Sequence, residues 1–436
     1  MYRQLIQKLV NWKSASNRKP LVIRGARQVG KTWLMKEFGA NHYTEQVYIN
    51  FESNRTSKLL FEEGLDLGRI IQGLEIQLGK SIDPKNTLII FDEIQECPEA
   101  LTSLKYFQEQ APEYDIVAAG SLLGVALHQQ HSFPVGKVEF LDLYPLSFHE
   151  FLEALGEKLL AELLLKLDWS LLAPFREKLI QYLRSYYFIG GMPEAVKTYV
   201  DQGDFFTVRT VQKRILDAYE QDFSKHAPND VVPRIRMIWN SIPSQLAKEN
   251  KKFIFGQLRH GARAKEFELA MEWLRDCGLI HKISRVTKPG FPLKAYEDFS
   301  AFKVYLLDVG ILGAMVDMDP MSVLGGNNLF TEFKGSLTEQ FVLQELIASG
   351  HSLYYWSSDK GIAELDFLLQ FQGKIVPIEV KAEENLKAKS LKVVSDNYPE
   401  TTPVRASMSD FRKESWMTNF PLFAIGNLNV FLKKKH

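Results

Sequence analysis

This sequence has few cysteines, no excess of charge of one sign and no long apolar run. Cys97 and Cys277 are its two cysteines. Two are too few for a disulfide framework or a four-thiolate zinc site, and they fit a reducing compartment as ordinary buried thiols. Lysine plus arginine and aspartate plus glutamate both number 53, so no global field draws the chain to nucleic acid or to an anionic membrane. Any surface of that kind has to be local.

Membrane and targeting segments are also missing from the pattern. No apolar run approaches the roughly 18 residues that a membrane helix needs. The first ten residues contain Arg3, Gln4, Gln7 and Lys8, which break the apolar core of a signal peptide. The nine histidines show no metal-ligand spacing such as HExxH. We therefore expect a cytoplasmic protein with no membrane partner.

The chain has ample material for packed cores. Its 436 residues predict about three domains at roughly 150 residues each, and its 45% hydrophobic and 24% charged residues are typical of globular proteins. Between about residues 20 and 125, short apolar runs alternate with helix-like stretches. Such alternation predicts a parallel α/β sheet buried on both faces, with strands at 21–23, 47–51, 88–91 and 116–119.

The remainder of the chain changes character twice. From about residue 145 it is mostly helical, with helices predicted over 148–167 and 175–187 and a turn at 190–193. Residues 230–300 predict helices followed by a short β-ribbon around 288–292. The last 130 or so residues return to mixed α/β, with a helix predicted over 338–349 and strands over 365–370 and 374–380.

A complete phosphate-binding motif follows the first predicted strand and precedes a predicted helix. Its spacing is GxxxxGK[ST], in the strand-to-helix context that a P-loop requires. The two glycines allow a tight turn whose N–H groups face phosphate oxygens. Lys31 is expected to meet the β- and γ-phosphates, and the Thr32 hydroxyl to ligate Mg²⁺. The predicted nucleotide-binding residues here are Gly25, Ala26, Arg27, Gln28, Val29, Gly30, Lys31 and Thr32.

Two carboxylates end the buried run at 88–91, where a P-loop fold needs its second metal-site element. We expect Asp92 to hold Mg²⁺ and Glu93 to polarise the attacking water as general base. The strand at 116–119 ends at Ser121, whose hydroxyl either contacts the γ-phosphate or caps the next helix. The motifs leave the source of an arginine finger open among Lys137, Arg176 and Arg184.

At this point the chain resembles a known group, the prokaryotic AAA-type ATPases, and more narrowly those with a winged helix and a C-terminal restriction-endonuclease-like domain. The resemblance implies ATP as the nucleotide. That group often carries arginine where this chain has Lys137, which weakens a finger role for that residue because lysine lacks the planar fork. The segments that carry the resemblance are the P-loop, the motif at 91–95, the strand end at 119–121, and the stretches 143–151 and 190–194.

The middle region is typical of a winged helix-turn-helix. Residues 271–280 end a helix at a glycine, and Lys282, Arg285 and Lys288 follow on the predicted ribbon. Thirteen Lys or Arg stand against eight Asp or Glu between residues 230 and 300. A net charge of +5 is the local footprint that phosphate contacts need, with Arg259, Arg263 and Lys265 as the helix positions to test. The alternative is a packing module, since fold alone does not set function.

A second constellation lies near the C-terminus. Strand alternation places Glu379 and Lys381 on one face, and a neighbouring strand brings Asp366 to the same place. Two carboxylates beside one lysine can bind Mg²⁺ and activate water against a phosphodiester, and Glu339 can add a third carboxylate. The alternative is an ordinary ion pair on a solvated face. The lysines at 387, 389 and 392 either hold a phosphate backbone or form helix surface.

These residues match the PD-(D/E)xK nuclease pattern, with Asp366, Glu379 and Lys381 as the catalytic set and Glu339, Asp366 and Glu379 as metal ligands.

The fold class expected is α/β. The domains expected are an AAA-type P-loop ATPase core at 1–150, a helical lid at 151–228, a winged helix-turn-helix at 229–305 and a restriction-endonuclease-like domain at 306–436. The function expected is an ATP- and Mg²⁺-dependent ATPase that controls a nuclease-like domain acting on nucleic acid, with DNA favoured. The alternative is a nucleotide-dependent switch that binds DNA or a partner protein without cutting, and a homo-oligomer stays open.

Overall fold

The computed structural model describes residues 1–121, 136–321, 331–358, 363–382 and 388–434. The chain divides into two compact units. The first consists of Arg3–Tyr144 with Asp276–Gly278. The second consists of Met1–Tyr2, Pro145–Arg275 and Leu279–His436.

The first unit alternates strands and helices, as the apolar runs predict. Its elements in chain order are α1 (Leu5–Lys13), β1 (Leu21–Arg24), α2 (Lys31–His42), β2 (Glu45–Asn50), α3 (Arg55–Glu62), α4 (Leu67–Leu78), β3 (Thr87–Asp92), α5 (Pro98–Gln110), β4 (Asp115–Ala119) and β5 (Glu139–Asp142).

The five strands form one parallel sheet in the order β2-β3-β4-β1-β5. Every residue of β3 and β4 is buried, because helices on both faces of a parallel sheet remove it from water. The four predicted strands are confirmed. The sequence did not predict β5, whose two end residues are exposed and which therefore lacks a continuous apolar run.

The second unit begins with helices and ends in mixed α/β structure. Its elements in chain order are α6 (Phe148–Ala154), α7 (Lys158–Lys166), α8 (Trp169–Leu172), α9 (Arg176–Ile189), α10 (Pro193–Gln202), α11 (Phe205–His226), α12 (Val232–Leu246), α13 (Ala264–Asp276), β6 (Ile280–Val286), β7 (Glu297–Leu306), α14 (Val309–Met315), α15 (Thr331–Ala348), β8 (Leu353–Ser357), β9 (Glu364–Phe371), β10 (Lys374–Val380), α16 (Lys389–Asn397), β11 (Val404–Ser407), β12 (Arg412–Lys413), β13 (Thr418–Pro421) and α17 (Leu428–Lys434).

Aromatic rings hold the helices of this unit together. Phe148 packs edge-on against Tyr186, with ring centroids 5.7 Å apart, and Tyr186 packs against Phe341 at 5.8 Å. These rings lie on α6, α9 and α15. The entry to α6 is a capping box, in which Ser147 and Glu150 bind each other's backbone N–H groups.

One eight-stranded mixed sheet, in the order β12-β13-β11-β10-β9-β8-β6-β7, runs through the second unit. Strands β6 and β7 pair antiparallel, and β6 pairs parallel with β8. The predicted ribbon around 288–292 is the connection between β6 and β7. The predicted domain boundary between residues 305 and 306 falls inside β7, whose hairpin with β6 belongs to the same sheet as the C-terminal strands.

Candidate functional site

The loop between β1 and α2 has the backbone conformations that a P-loop turn demands. Gly25, Gln28 and Gly30 have φ values of 149°, 65° and 94°. A Cβ at Gly25 would lie 2.2 Å from the Leu143 carbonyl oxygen, so glycine is the residue that this close approach permits. Val29 is fully buried within the loop.

The side chain of Arg3 braces this loop from outside the motif. Its guanidinium donates to the Val29 carbonyl oxygen at 3.2 Å and to the Tyr144 carbonyl oxygen at 2.5 Å. The sequence carried no signal for this role, because Arg3 lies 26 residues from Val29 and 141 from Tyr144. A buried arginine that joins two loop carbonyls stabilises the turn against distortion.

Lys31 is the first residue of α2, and its ammonium group is buried against its own loop. It donates to the carbonyl oxygens of Gly25 at 2.9 Å and Ala26 at 2.7 Å. Because an ammonium group has three N–H donors, a third remains for a phosphate oxygen. Burial lowers the pKa of Lys31 to about 8, against the opposing effect of the Glu93 and Asp92 carboxylates and with a small contribution in the same direction from Arg27.

Asp92, at the end of β3, meets the P-loop hydroxyl. Thr32 Oγ1 donates to Asp92 Oδ2 at 2.7 Å, and the Tyr48 hydroxyl donates to the same oxygen at 2.8 Å. A hydroxyl and a carboxylate are the oxygen ligands that Mg²⁺ prefers, so Thr32 and Asp92 fit the expected metal. Tyr48 was missed, since only the pairing of β2 with β3 brings it near.

Glu93 follows Asp92 in a left-handed conformation, with φ of 48°. Its carboxylate accepts a hydrogen bond from the Ser121 hydroxyl at 3.1 Å and from the Gln95 amide at 2.7 Å. The backbone N–H of Ser121 also approaches it, at 3.4 Å. The structure thus brings Ser121, at the end of β4, to the predicted general base. Gln95 is a further positioning group that sequence reasoning left without a role.

The three candidates for an arginine finger have other partners or positions. Lys137 forms an ion pair with Glu109 at 2.9 Å. Arg176 forms an ion pair with Asp410 and donates to the Met408 carbonyl oxygen at 3.1 Å, both within the second unit. Arg184 is partly buried on α9. The source of an arginine finger stays a prediction.

The C-terminal constellation assembles on neighbouring strands. Strands β9 and β10 pair antiparallel, with Phe367 opposite Ile378, so the next pair in this register is Asp366 and Glu379. Asp366 lies near the start of β9, and the antiparallel direction of the two strands places it beside the end of β10. Asp366 Oδ2 accepts from the Val380 N–H at 2.7 Å.

Glu379 is buried and has partners at both carboxylate oxygens. Its Oε1 pairs with the Lys381 ammonium at 2.7 Å, and its Oε2 accepts from the Leu391 N–H at 3.1 Å. Asp366, Glu379 and Lys381 therefore share one region of the sheet, as the alternation predicted. The carboxylate of Glu379 is bound to the chain's own donors.

Glu339 on α15 belongs to a group of buried and half-buried charges that the sequence did not reveal. Its Oε1 pairs with the Lys251 ammonium, and its Oε2 accepts from the Tyr305 hydroxyl at 3.1 Å. Lys303, fully buried on β7, pairs with Glu364. We call this group the charge cluster, and its members are Lys251, Lys303, Tyr305, Glu339, Glu364 and Asp366.

Burial and charge act together on the acids of the charge cluster. Burial, reinforced by the Glu339 carboxylate, raises the pKa of Asp366 to about 8, against the opposing pull of Lys303 and Lys251. Burial would also raise the pKa of Glu339, but Lys251 and Lys303 outweigh it and lower that pKa. For Lys303, burial lowers the pKa, and the carboxylates of Glu339, Glu364 and Asp366 reverse this and raise it.

No group of three or more His, Cys, Asp or Glu side chains is arranged to hold a metal ion within the described part of the chain. For the predicted C-terminal ligands the reason is visible in their contacts. Both oxygens of Glu339 and both of Glu379, as well as Oδ2 of Asp366, accept from protein donors. Asp92 accepts only from hydroxyl groups and a backbone N–H among the described contacts. Glu339 and Glu379 are instead each paired with a lysine ammonium, so these residues as arranged do not fit a divalent cation.

The basic residues of the middle region are partly neutralised. Arg259 pairs with Glu266, and Arg285 pairs with Asp298 at 2.8 Å. Arg263, just before α13, and Lys265, in its first turn, are both exposed. Arg259 and Arg263 precede this helix rather than lying on it, which corrects the expectation that all three test positions are helical.

Near the C-terminal constellation, two aromatic side chains are core residues, and two of the three lysines lie on helix surface. Tyr355 and Trp356 on β8 are buried in the core. Lys392 pairs with Asp396 at 2.6 Å on α16, and Lys389 begins that helix. Lys387 lies outside the described residues.

Three family models match separate parts of the chain. Residues 17–152 match an AAA domain. Residues 180–322 match the domain of unknown function DUF8612, and residues 334–422 match the domain of unknown function DUF4143. The first match contains the P-loop, Asp92, Glu93 and Ser121. Residues 17–152 are therefore similar to an AAA domain.

Solved structures show more distant similarity, and no curated protein matches the sequence. A Walker-type ATPase of Pyrococcus abyssi is 16% identical, with a TM-score of 0.46, and the alignment covers 72% of this chain and 95% of that one. The ORC1 protein of Aeropyrum pernix, solved in complex with DNA, is 13% identical, with a TM-score of 0.27 and coverage of 72% and 91%. Among the described residues no helix is long and apolar enough to cross a membrane.

Proposed function

We propose that this chain hydrolyses ATP with Mg²⁺ at its P-loop and uses the nucleotide state to switch what its C-terminal region binds. The observation that carries the ATPase part is the contact of Thr32 Oγ1 with Asp92 Oδ2 at 2.7 Å, next to a glutamate held by Ser121. A metal-site pair, a buried lysine and an oriented base at the end of parallel strands are the parts that phosphoryl transfer needs.

Each residue has a defined part in the reaction. Lys31 would bind phosphate oxygens through its remaining N–H donor, and Thr32 and Asp92 would hold Mg²⁺, which would supply positive charge against the developing negative charge. Glu93 accepts a proton from the water that attacks the γ-phosphorus, and the bond between that phosphorus and the bridging oxygen breaks, so that ADP leaves with the electron pair. Ser121 and Gln95 keep the Glu93 carboxylate directed, since both donate hydrogen bonds to it.

Steady-state phosphate release with purified variants tests the ATPase. Glu93→Gln should bind nucleotide as the wild type does but lose about 10²–10⁴-fold in kcat, the contribution of a general base. Lys31→Ala should lose nucleotide binding itself. Glu96→Gln, three residues from Glu93 in the adjacent 3₁₀ turn, is the matched control and should keep wild-type turnover. Hydrolysis by Glu93→Gln at the wild-type rate would refute the assignment of the base.

For the C-terminal region, the contacts favour a switch without cleavage. The carboxylates that a nuclease would use for metal are bound to lysines, a tyrosine and backbone N–H groups. The net positive charge of residues 230–300 supports nucleic acid, with DNA first, as the bound partner. We expect DNA binding to depend on nucleotide, and to be altered in Lys31→Ala.

A metal-dependent nuclease is the second candidate function. The observation that favours it is the placement of Asp366, Glu379 and Lys381 in one region of β9 and β10. Supercoiled DNA, single-stranded DNA and RNA incubated with Mg²⁺ or Mn²⁺, with and without ATP, decide between the two. Cleavage that disappears in Asp366→Ala establishes the nuclease. Unchanged substrates in every arm, together with ATP-dependent DNA retention, establish the switch.

A further inference from the structure

The charge cluster contains its own cations at the positions where a nuclease-like site would need a metal. Lys251 lies in the connection after α12 and pairs with Glu339 on α15. Lys303 lies on β7 and pairs with Glu364 on β9. The Lys251 and Glu339 side chains are only 11% and 8% exposed. Two buried lysines at this place are costly unless carboxylates compensate them.

The contacts leave little coordination capacity at the predicted ligands. The carboxylate of Glu339 is bound at both oxygens, by Lys251 and Tyr305. Asp366 has one oxygen bound by the Val380 N–H and is attracted by Lys303 and Lys251. A divalent ion entering beside Asp366 would have to displace these donors and would meet the two ammonium groups, which repel it in a poorly screened interior.

We propose that Lys251 and Lys303 supply from within the chain the positive charge that a divalent cation would supply, so that this cluster binds neither Mg²⁺ nor Mn²⁺ unless a lysine is removed. The inference builds on the proposed role of the C-terminal region without cleavage. It concerns cation binding alone and is measured without nucleic acid, so it fails or survives separately from the switch and from the ATPase.

Mn²⁺ titration followed by electron paramagnetic resonance of the free ion is the direct test. All proteins are full-length and nucleotide-free, and all carry Asp92→Asn, which removes the P-loop carboxylate from the measurement. The parent protein should show no Mn²⁺ site that depends on Asp366. Lys251→Met and Lys303→Met should each gain a site at least about tenfold tighter than any in the parent, because removal of a buried like charge favours the ion. Adding Asp366→Asn should abolish the gain.

Lys392→Met is the matched control, since it removes a lysine from an exposed ion pair with Asp396 in the same unit. It should gain no Mn²⁺ site. A parent protein that binds Mn²⁺ and loses it in Asp366→Asn overturns the proposal. Lysine variants that fold and bind no Mn²⁺ also overturn it.

Loss of a buried lysine can impair folding, and this too is informative. If Lys251→Met melts earlier than the parent, Mn²⁺ should raise its thermal midpoint while leaving that of Lys392→Met unchanged, because the ion replaces the lost charge. A destabilised Lys251→Met that Mn²⁺ does not stabilise contradicts the proposal.

Discussion

Lys31 shows how burial prepares a cation for an anionic ligand. Its ammonium is bound to two carbonyl oxygens of its own loop, and burial lowers its pKa to about 8 despite the nearby carboxylates of Glu93 and Asp92. A phosphate placed next to it favours the charged form. Above the pKa of the free protein, nucleotide binding must therefore be coupled to proton uptake.

The first prediction follows from this coupling. The Kd of a fluorescent ATP analogue should be nearly constant from about pH 6.5 to 7.5 and should rise above about pH 8, approaching tenfold per pH unit, because the lysine that binds phosphate is then neutral. Lys31→Arg keeps its charge in this range and should give a flat profile, although binding is weaker. A flat wild-type profile up to about pH 9.5 would show that Lys31 is not the group that titrates.

At the scale of elements, the turn between α9 and α10 depends on close packing against another segment. Gly190 has φ of 72° and ψ of −167°, a region that only glycine adopts readily. A Cβ there would lie 2.1 Å from Asp308 Oδ1. Asp308 is fully buried, caps α14 and accepts from the Gly191 N–H at 2.6 Å. The turn and the start of α14 are therefore locked together.

Gly190→Ala should destabilise the second unit by about 3 kcal/mol or more, since it combines backbone strain with displacement of a buried carboxylate. Gly203→Ala is the matched control. Gly203 also has a positive φ, 68°, but a Cβ added there would have no atom within 4 Å. Gly203→Ala should therefore lower the free energy of unfolding by only about 1–2 kcal/mol. Urea unfolding midpoints of the two variants provide the measurement. Equal midpoints would show that the contact with Asp308 contributes nothing.

At the scale of the whole molecule, strand pairing in the sheet of the second unit determines which fragment of the chain can fold alone. Strand β7 contributes Lys303 and Tyr305 to the charge cluster and pairs with β6, which in turn pairs with β8. A fragment that begins at the predicted boundary, residue 306, lacks β6 and all but the last residue of β7. It also leaves Glu339 and Glu364 without the lysines that compensate their burial.

A fragment of residues 145–436 should unfold in one cooperative thermal transition, because it retains the elements of the second unit. A fragment of residues 306–436 should show no such transition, since buried carboxylates without partners are strongly destabilising. Circular dichroism melts of both fragments test this. Cooperative unfolding of the shorter fragment would restore the predicted boundary as a true domain border.

Local patterns were sufficient for much of the first unit and its site. The P-loop, Asp92, Glu93 and Ser121 follow apolar runs that become β1, β3 and β4, because a buried parallel strand and a tight phosphate turn both leave short, continuous signatures. The structure places Thr32 against Asp92 and Ser121 against Glu93. Tyr48 escaped notice because it lies in no motif, and Gln95, although it belongs to the motif at 91–95, was given no role.

The C-terminal constellation shows where local reasoning stops. Strand alternation predicted that Glu379 and Lys381 share a face, and their contact at 2.7 Å agrees. The lysine that binds Glu339 lies 88 residues away along the chain, and Lys303 reaches Glu364 from a strand assigned to another domain. Periodicity reports which residues are buried, whereas the partner of a buried charge depends on which strands and helices pack together. Only the tertiary structure could show that the acids already have cations.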